Sequence, residues 1–490
     1  MKISSIIRLF RSLKDSRTVK NSLWGVISSG AQNVLLSLYF IILARKYDPS
    51  IFALFLIASN IYQVIVSFSS LGLGQWFTRT FVGSENKADI LNKFLKIQLF
   101  SGIFFYVVAI ILGYLLYDSQ LIRYLTIILG TNIIFDNIIY GIKALNVAEF
   151  QQRKTFTILF IDAMLKFLVA SILLFYPIGI IVLTVLLVIT RLITLNIFLR
   201  YGTSNILTLR SLIGQKISKR LIMTIVLPNW PFIVIGSISV IYWRIGNFIV
   251  SKALPLTDVA NYEVSYKVYS LTLIVPLVLS MTVFPTLVEK FKAKDMEKFK
   301  TFANRVSLIY LVYGLLVYTF FYSFSDLIIP LLFGEKFVDN AIFTRQMFLT
   351  ILVFPTAYLQ ANIIVAINKE KVDMALNILS LVINVLMCVA GLYFYKSLTV
   401  IYVGIFTSFL VFHIVQDFFL VRKRIYGVFH AIRYYLVTAT TVLLYVYLVR
   451  YFNQLIFFFV FWLTVSLLVL LVFFIRYRMG KSNKGSFPVM

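Results

Sequence analysis

The chain has a single cysteine, Cys388, and it falls inside an apolar run. A disulfide within the chain is therefore excluded, and thiol or cysteine–metal chemistry has no support. Histidine is nearly as scarce, with His413 and His430 alone. No zinc signature, phosphate-binding loop or nucleophile elbow occurs, and the GLG at 72–74 is an isolated glycine pair at a helix end. Charged residues make up only 13% of the chain and apolar residues 60%. A soluble core cannot use that much apolar surface, so lipid is the solvent for much of this one. Acids are the rarest charges, 19 against 46 lysines and arginines.

The apolar residues gather in about 14 segments of roughly 20 residues each, the length needed to cross a bilayer as a helix. The spans read as 21–44, 51–75, 94–117, 121–146, 155–176, 178–200, 223–250, 262–288, 306–330, 345–367, 372–395, 398–421, 434–450 and 454–475. Most of the basic residues lie in every second gap: 1–20, 76–96, 146–156, 200–220, 289–305, 368–373, 422–433 and the tail from Arg476. The alternate gaps hold only Arg45, Lys46, Arg123, Lys252, Lys336, Lys396 and Arg450. The positive-inside rule then places both termini in the cytoplasm. The net charge of +27 is spread over many short loops, so it does not mark a nucleic-acid module. The outward connections are short, the longest being 331–344, which leaves no external domain to house a polymerase or glycosyltransferase.

Residues 1–20 alternate Ile3, Ile6, Ile7, Phe10 and Leu13 with Arg8, Arg11, Lys14 and Arg17, the pattern of a helix lying on an anionic leaflet. No cleavable signal is evident, because the first apolar run is too long. Residues 41–64 laid on 248–271 without gaps match Ile42 to Ile249, Arg45 to Lys252, Ala53 to Ala260 and Tyr62 to Tyr269. This weak repeat implies two six-helix lobes in parallel orientation plus two C-terminal helices. The resulting division is 1–20, a basic amphipathic segment; 21–222, the first lobe; 223–433, the second; and 434–490, two further helices and a tail. Pro228, Pro231, Pro276, Pro285, Pro330 and Pro355 all lie in spans 7–10, and spans 1–4 contain none. Each bends its helix, as a packing kink or as a hinge.

An ionisable group in hydrocarbon faces a cavity or a partner by default. Arg244 and Lys267 sit about equally far, at ~1.5 Å per residue, from the turn near 255–256, hence at one depth on neighbouring antiparallel helices. Either they share a wet, anion-attracting cavity, or Lys267 pairs with Glu263 one turn away and Arg244 reaches outward. In the first lobe Asp162 and Lys166 stand at i,i+4, and Asp136 and Arg191 share a depth. That group is electrically balanced: it is structural pairing, or a proton or sodium relay through Asp136 and Asp162. His413 and Asp417, also at i,i+4, make a poor metal site and read as a local hydrogen bond.

The same residues resemble the bacterial polysaccharide (Wzx-type) flippases of the multidrug/oligosaccharidyl-lipid/polysaccharide exporter superfamily. The likeness runs over essentially the whole chain. It is carried by LARKYDPSIFALF at 43–55, PNWP at 228–231, IYWRIGNFIV at 241–250, NYEVSYKVYSL at 261–271, VFP at 283–285, LLFGEKF at 331–337 and NKEKVDMALNILSLVINVL at 368–386. Two positions depart: Ala53 replaces the glycine of the first turn, and Gly246 and Asn247 stand where the family often has an acid. Lys267, in SYKVY, aligns with a cavity arginine of the related lipid II flippases. The resemblance implies a non-enzymatic transporter of the bacterial inner membrane without a cofactor or metal. It would flip an undecaprenyl-pyrophosphate-linked oligosaccharide outward by alternating access. Its substrate-binding residues would be Arg244, Lys267, Asn60, Arg191 and Lys166. H+ or Na+ is the candidate counter-ion, and the polymerase and chain-length proteins of the same pathway are candidate partners. A multidrug cation antiporter of the same superfamily is the alternative, but it would want acids in its cavity.

Overall fold

The computed structural model describes residues 17–203 and 219–467, apart from the side chains of 17–27, 75, 219–222, 224, 228–232, 234–236 and 281. The basic segment before Arg17, most of the 201–222 loop, the tail after Leu467 and the side chains of Pro228 and Pro231 lie outside the described residues. The rest is helical: α1 Arg17–Lys46, α2 Pro49–Ser69, α3 Gly74–Val82, α4 Lys87–Leu116, α5 Gln120–Ala148, α6 Gln152–Phe175 and α7 Ile180–Ile197. Then come α8 Lys219–Ala253, α9 Leu256–Thr272, α10 Ile274–Lys292, α11 Met296–Phe333, α12 Asn340–Met347, α13 Phe354–Ala366, α14 Glu370–Phe394, α15 Leu398–Arg422 and α16 Val428–Leu448. A last apolar helix, α17, covers Gln454–Leu467.

Eleven helical stretches are long and apolar enough to cross a membrane, and α1, α8 and α17 bring the crossings to the expected about 14. Their polar starts follow local chemistry. Asp48 caps α2 by accepting from the Ser50 N–H at 2.8 Å, with Pro49 in the first turn where its missing N–H costs nothing. Asn86, Asp295 and Ser397 cap α4, α11 and α15 in the same way. On α4, Phe100, Phe104, Val107 and Ile111 form an exposed apolar stripe, and α14 exposes Val382, Leu386, Val389 and Tyr393. In water such stripes would be a liability; towards lipid they are the solvated face.

The helix pairings repeat. In the first lobe α1 packs on α6, α2 on α4 and α5, α4 on α5, α5 on α7, and α6 on α7. In the second, α8 packs on α14, α9–α10 on α12–α13, α10 on α11, α11 on α12–α13, α12–α13 on α15, and α14 on α15. These are the same six contacts, six helices later, and α16 lies outside the pattern against α11. The lobes meet through α2 against α8 and α9, and through α1 against α9 and α11.

The structure revises two expectations about elements. The 76–93 connection contains a helix, α3, whose buried Phe77 stacks on Phe94 and packs beside the buried Phe81. Span 8 starts earlier, at Leu256, and is broken into α9 and α10 at Leu273. Pro276 lacks the N–H that would bond the Thr272 carbonyl, and the Tyr313 hydroxyl donates to that carbonyl instead, at 2.5 Å.

Candidate functional site

A cavity of about 410 Å³ lies where the lobes meet. Tyr39 and Phe40 of α1 and Ser59, Tyr62 and Gln63 of α2 line one wall; Arg244 of α8 and Glu263, Tyr266 and Lys267 of α9 line the opposite one. Lys166 and Arg191 enter from α6 and α7. Of the five residues expected to bind substrate, four therefore share one space. Asn60 does not: it is buried behind the wall and donates from Nδ2 to the Arg244 carbonyl at 3.1 Å, tying the lobes together.

Arg244 and Lys267 line one cavity, and the alternative that paired Lys267 with Glu263 is overturned. Arg244 does not reach outward, and Lys267 does not pair with Glu263. The Arg244 guanidinium takes Glu263, with Nη1 3.2 Å from each carboxylate oxygen. The Asn247 amide donates to Glu263 Oε1 at 2.7 Å, which turns that carboxylate towards α8 and away from the i+4 position. Gly246 allows this approach, since a Cβ there would meet the Tyr262 hydroxyl at 2.5 Å. Arg244 also lies 5.3 Å from the centre of the Tyr266 ring. The Lys267 ammonium has no ion pair or hydrogen bond among the described residues; it stands 5.9 Å from the Phe40 ring of the other lobe.

The first-lobe charges form one network. Lys166 pairs with Asp162 at 2.8 Å, Arg191 reaches Asp162 at 3.1 Å, and Arg191 Nε donates to Asp136 at 2.6 Å. Tyr62 donates to the other Asp136 oxygen, and Thr194 to Asp162 at 2.9 Å. Asp136 and Asp162 are thus fully engaged in this conformation. Of the four cations that line the cavity, Arg244 is paired with Glu263 in the wall and Lys166 and Arg191 with Asp136 and Asp162 behind it, which leaves Lys267 as the lining cation without an ion pair. The sequence signalled Arg244, Lys267 and Arg191 by depth and Lys166 by its i,i+4 spacing to Asp162. The roles of Tyr62, Tyr266, Phe40 and Asn247 carried no signal beyond helical register.

His413 and Asp417 stand 3.2 Å apart, joined by Tyr435, which donates to Asp417 at 2.8 Å, and by Gln360, which donates at 2.7 Å. The pair is local, as the i,i+4 spacing suggested, but it is bridged through Tyr435 and leaves His413 Nε2 without a hydrogen-bond partner among the described residues. Among the described residues no three His, Cys, Asp or Glu gather as metal ligands.

At the end of the molecule that carries the α1–α2 turn, the lobes are clasped. Arg45 donates from Nε to the Leu332 carbonyl at 2.7 Å, and Lys336 donates back to the Arg45 carbonyl at 3.0 Å and to that of Tyr47. The repeat supplies a second clasp. Lys252, the counterpart of Arg45, lies 4.1 Å from the centre of the Tyr117 ring, and the Tyr117 and Ser251 hydroxyls bond at 2.6 Å.

A family profile described as polysaccharide biosynthesis protein matches residues 18–291. No curated protein matches the chain. Among solved structures, an inward-facing multidrug resistance MATE family transporter of the MOP superfamily matches with a TM-score of 0.65 at 14% identity, over 80% of this chain and 94% of that one. An outward-facing one gives 0.56 at 16% identity, over 83% and 94%. A MOP superfamily transporter from Pyrococcus furiosus, described by the reverse polarity of its binding pocket, gives 0.55 at 16% identity, over 83% and 95%. The fold is that of these transporters.

Proposed function

The chain belongs to the polysaccharide biosynthesis protein family, and from that premise we propose that it flips an undecaprenyl-pyrophosphate-linked oligosaccharide from the cytoplasmic to the outer leaflet of a bacterial inner membrane. Such a molecule is the repeat unit of an O-antigen, capsule or exopolysaccharide. The observation that carries the reading is the uncompensated Lys267 ammonium in a cavity between two lobes. A pyrophosphate brings the negative charge that this group lacks, and Arg244, which gives Glu263 only Nη1, keeps further N–H groups that suit phosphate oxygens. Tyr39, Phe40, Tyr62 and Tyr266 add flat apolar faces beside hydroxyls, a surface that suits sugar rings. An interior-negative potential favours outward movement of an anion by about 2.3 kcal/mol per charge per 100 mV.

By the positive-inside rule the clasped end is the outer one, so this conformation faces the cytoplasm. Transport then requires both clasps to open while the cytoplasmic ends close, with the cavity as the fixed point. Coupling to H+ or Na+ at Asp136 or Asp162 requires Arg191 or Lys166 to let go in the other conformation, since neither acid is free in this one. A multidrug cation antiporter is disfavoured because Glu263, the acid that lines the cavity, is already held by Arg244 and Asn247.

The test is deletion of the gene. Lipid-linked oligosaccharide should accumulate at the inner leaflet and the surface polymer should vanish, with glycosyltransferase activity intact. Persistence of surface glycan in a strain with no other flippase contradicts the proposal, and drug sensitivity in its place supports the antiporter.

A further inference from the structure

Below the central cavity two further spaces follow in order along α2 and α5. The first, about 410 Å³, is lined by Gln63, Val66, Ser67 and Ser70 of α2, Tyr140 of α5, and Ile233 and Val240 of α8. It adjoins the central cavity at Gln63. The second is a recess of about 510 Å³ between α3 and α5, lined by Gly74, Thr78, Arg79, Tyr140, Lys143, Ala144 and Val147, and it adjoins the first at Tyr140. On α5 the order runs from Asn132 in the central cavity through Tyr140 to Lys143, about 16 Å at ~1.5 Å per residue.

The recess is built, and it holds two cations of its own. Tyr140 accepts from the Gly74 N–H at 2.8 Å, an approach that needs a glycine because a Cβ at 74 would meet the Tyr140 hydroxyl at 2.6 Å. Phe77 and Phe81 anchor α3 in the core from the other side. The Arg79 and Lys143 side chains have no ion pair within 4 Å among the described residues, and no Asp or Glu lines the recess; the acid nearest in effect to Lys143 is Asp136, which Arg191 and Tyr62 already hold. Lys143 belongs to a membrane-crossing helix, and its only acidic influence, Asp136, is shared with Arg191, so an anion entering the recess would add charge that Lys143 has no carboxylate of its own to supply. By the distribution of basic residues this end is the cytoplasmic one, the side on which the carrier lipid is loaded.

We propose that the Arg79–Lys143 recess is a loading site that takes the diphosphate of the lipid-linked donor before it passes Tyr140 and Gln63 into the central cavity. The inference rests on the flippase reading for the identity of the donor. The chemistry recognised is a phosphate ester, and an anionic phospholipid head group offers the same chemistry, so the experiment must separate the two.

The protein is placed in nanodiscs of phosphatidylcholine, and binding of farnesyl diphosphate is measured. The background is Lys267→Ala, which removes the unpaired cation of the central cavity and leaves the Arg244–Glu263 pair intact. Binding should persist in this background and weaken by at least about tenfold when Arg79→Gln and Lys143→Gln are added. Arg79→Lys/Lys143→Arg should keep most of the affinity, which separates lost charge from lost folding. Absence of binding in the background, or no weakening with the glutamines, overturns the site. In a second arm, nanodiscs containing phosphatidylglycerol are used. If the glutamines abolish only phosphatidylglycerol enrichment and leave farnesyl diphosphate binding unchanged, the occupant is bulk lipid and the loading role is overturned. Because binding is read without transport, failure here leaves the flippase reading standing, and loss of export in a deletion strain says nothing for or against the recess.

Discussion

Glu263 faces across to α8 rather than up its own helix, and this separates the roles of its two basic neighbours. The equal depth of Arg244 and Lys267 was readable from their distances to the α8–α9 turn. Which of them Glu263 would choose was not, because the rotation of α8 against α9 is set by packing at Gly246 and Tyr262, not by spacing along either helix. The consequence is asymmetric. Lys267→Ala should cut export strongly while leaving protein yield and melting temperature near wild type, and Lys267→Arg should retain activity because the charge is kept. Arg244→Ala strands a buried carboxylate and should cost about 3–5 kcal/mol of stability. A melting curve in detergent checks this, and adding Glu263→Gln should restore much of the loss. In the first lobe, Arg191→Ala strands Asp136, while Asp162 keeps Lys166 and Thr194, and should lower melting temperature and yield together. An Arg191→Ala protein of normal stability that has lost only ion dependence would make the network a coupling device and not a brace.

At the scale of elements, the paired clasps are a gate that the repeat builds twice. The match of Arg45 to Lys252 appeared in the sequence as one aligned pair of charges. Its meaning did not appear, because the partners are the carbonyls at the end of α11 and the Tyr117 ring at the end of α4, far away in the chain. Lys336→Ala combined with Tyr117→Phe should release the outer end. With the sole cysteine removed by Cys388→Ala, a cysteine placed at Ser59 should then react faster with an impermeant thiol reagent added outside cells. An unchanged rate would mean that these contacts are not a gate. The break at Leu273 follows from Pro276, whose missing N–H was visible in the sequence; that Tyr313 would take over the freed carbonyl was not. The helix α3 went unread because nine residues carrying Gln75, Thr78, Arg79 and Thr80 look like a solvated loop until Phe77 finds Phe94 and Phe81.

For the whole molecule, hydropathy and the placement of lysine and arginine carried the architecture, because lipid imposes helices of one length and the membrane sorts charge by side. The doubled lobe was visible only as a faint alignment, since so apolar a chain matches itself by chance, and it became plain in the repeated helix pairings. Orientation is directly testable: single cysteines at residues 210 and 295, both in strongly basic loops, should resist an impermeant thiol reagent in intact cells and react after permeabilisation. Labelling of both in intact cells would invert the topology and with it the direction of transport. The central claim is that one unpaired cation between the lobes draws a lipid-linked pyrophosphate through the membrane. It is tested most directly by reconstituting the protein and its Lys267→Ala variant in liposomes loaded with an undecaprenyl-pyrophosphate-linked oligosaccharide, and by following the glycan's accessibility to an external lectin. The wild type should expose the glycan with time, under an imposed potential faster still, while Lys267→Ala should remain near protein-free liposomes and Lys267→Arg should recover. Equal rates for wild type and Lys267→Ala, or no translocation by the wild type, would contradict the account.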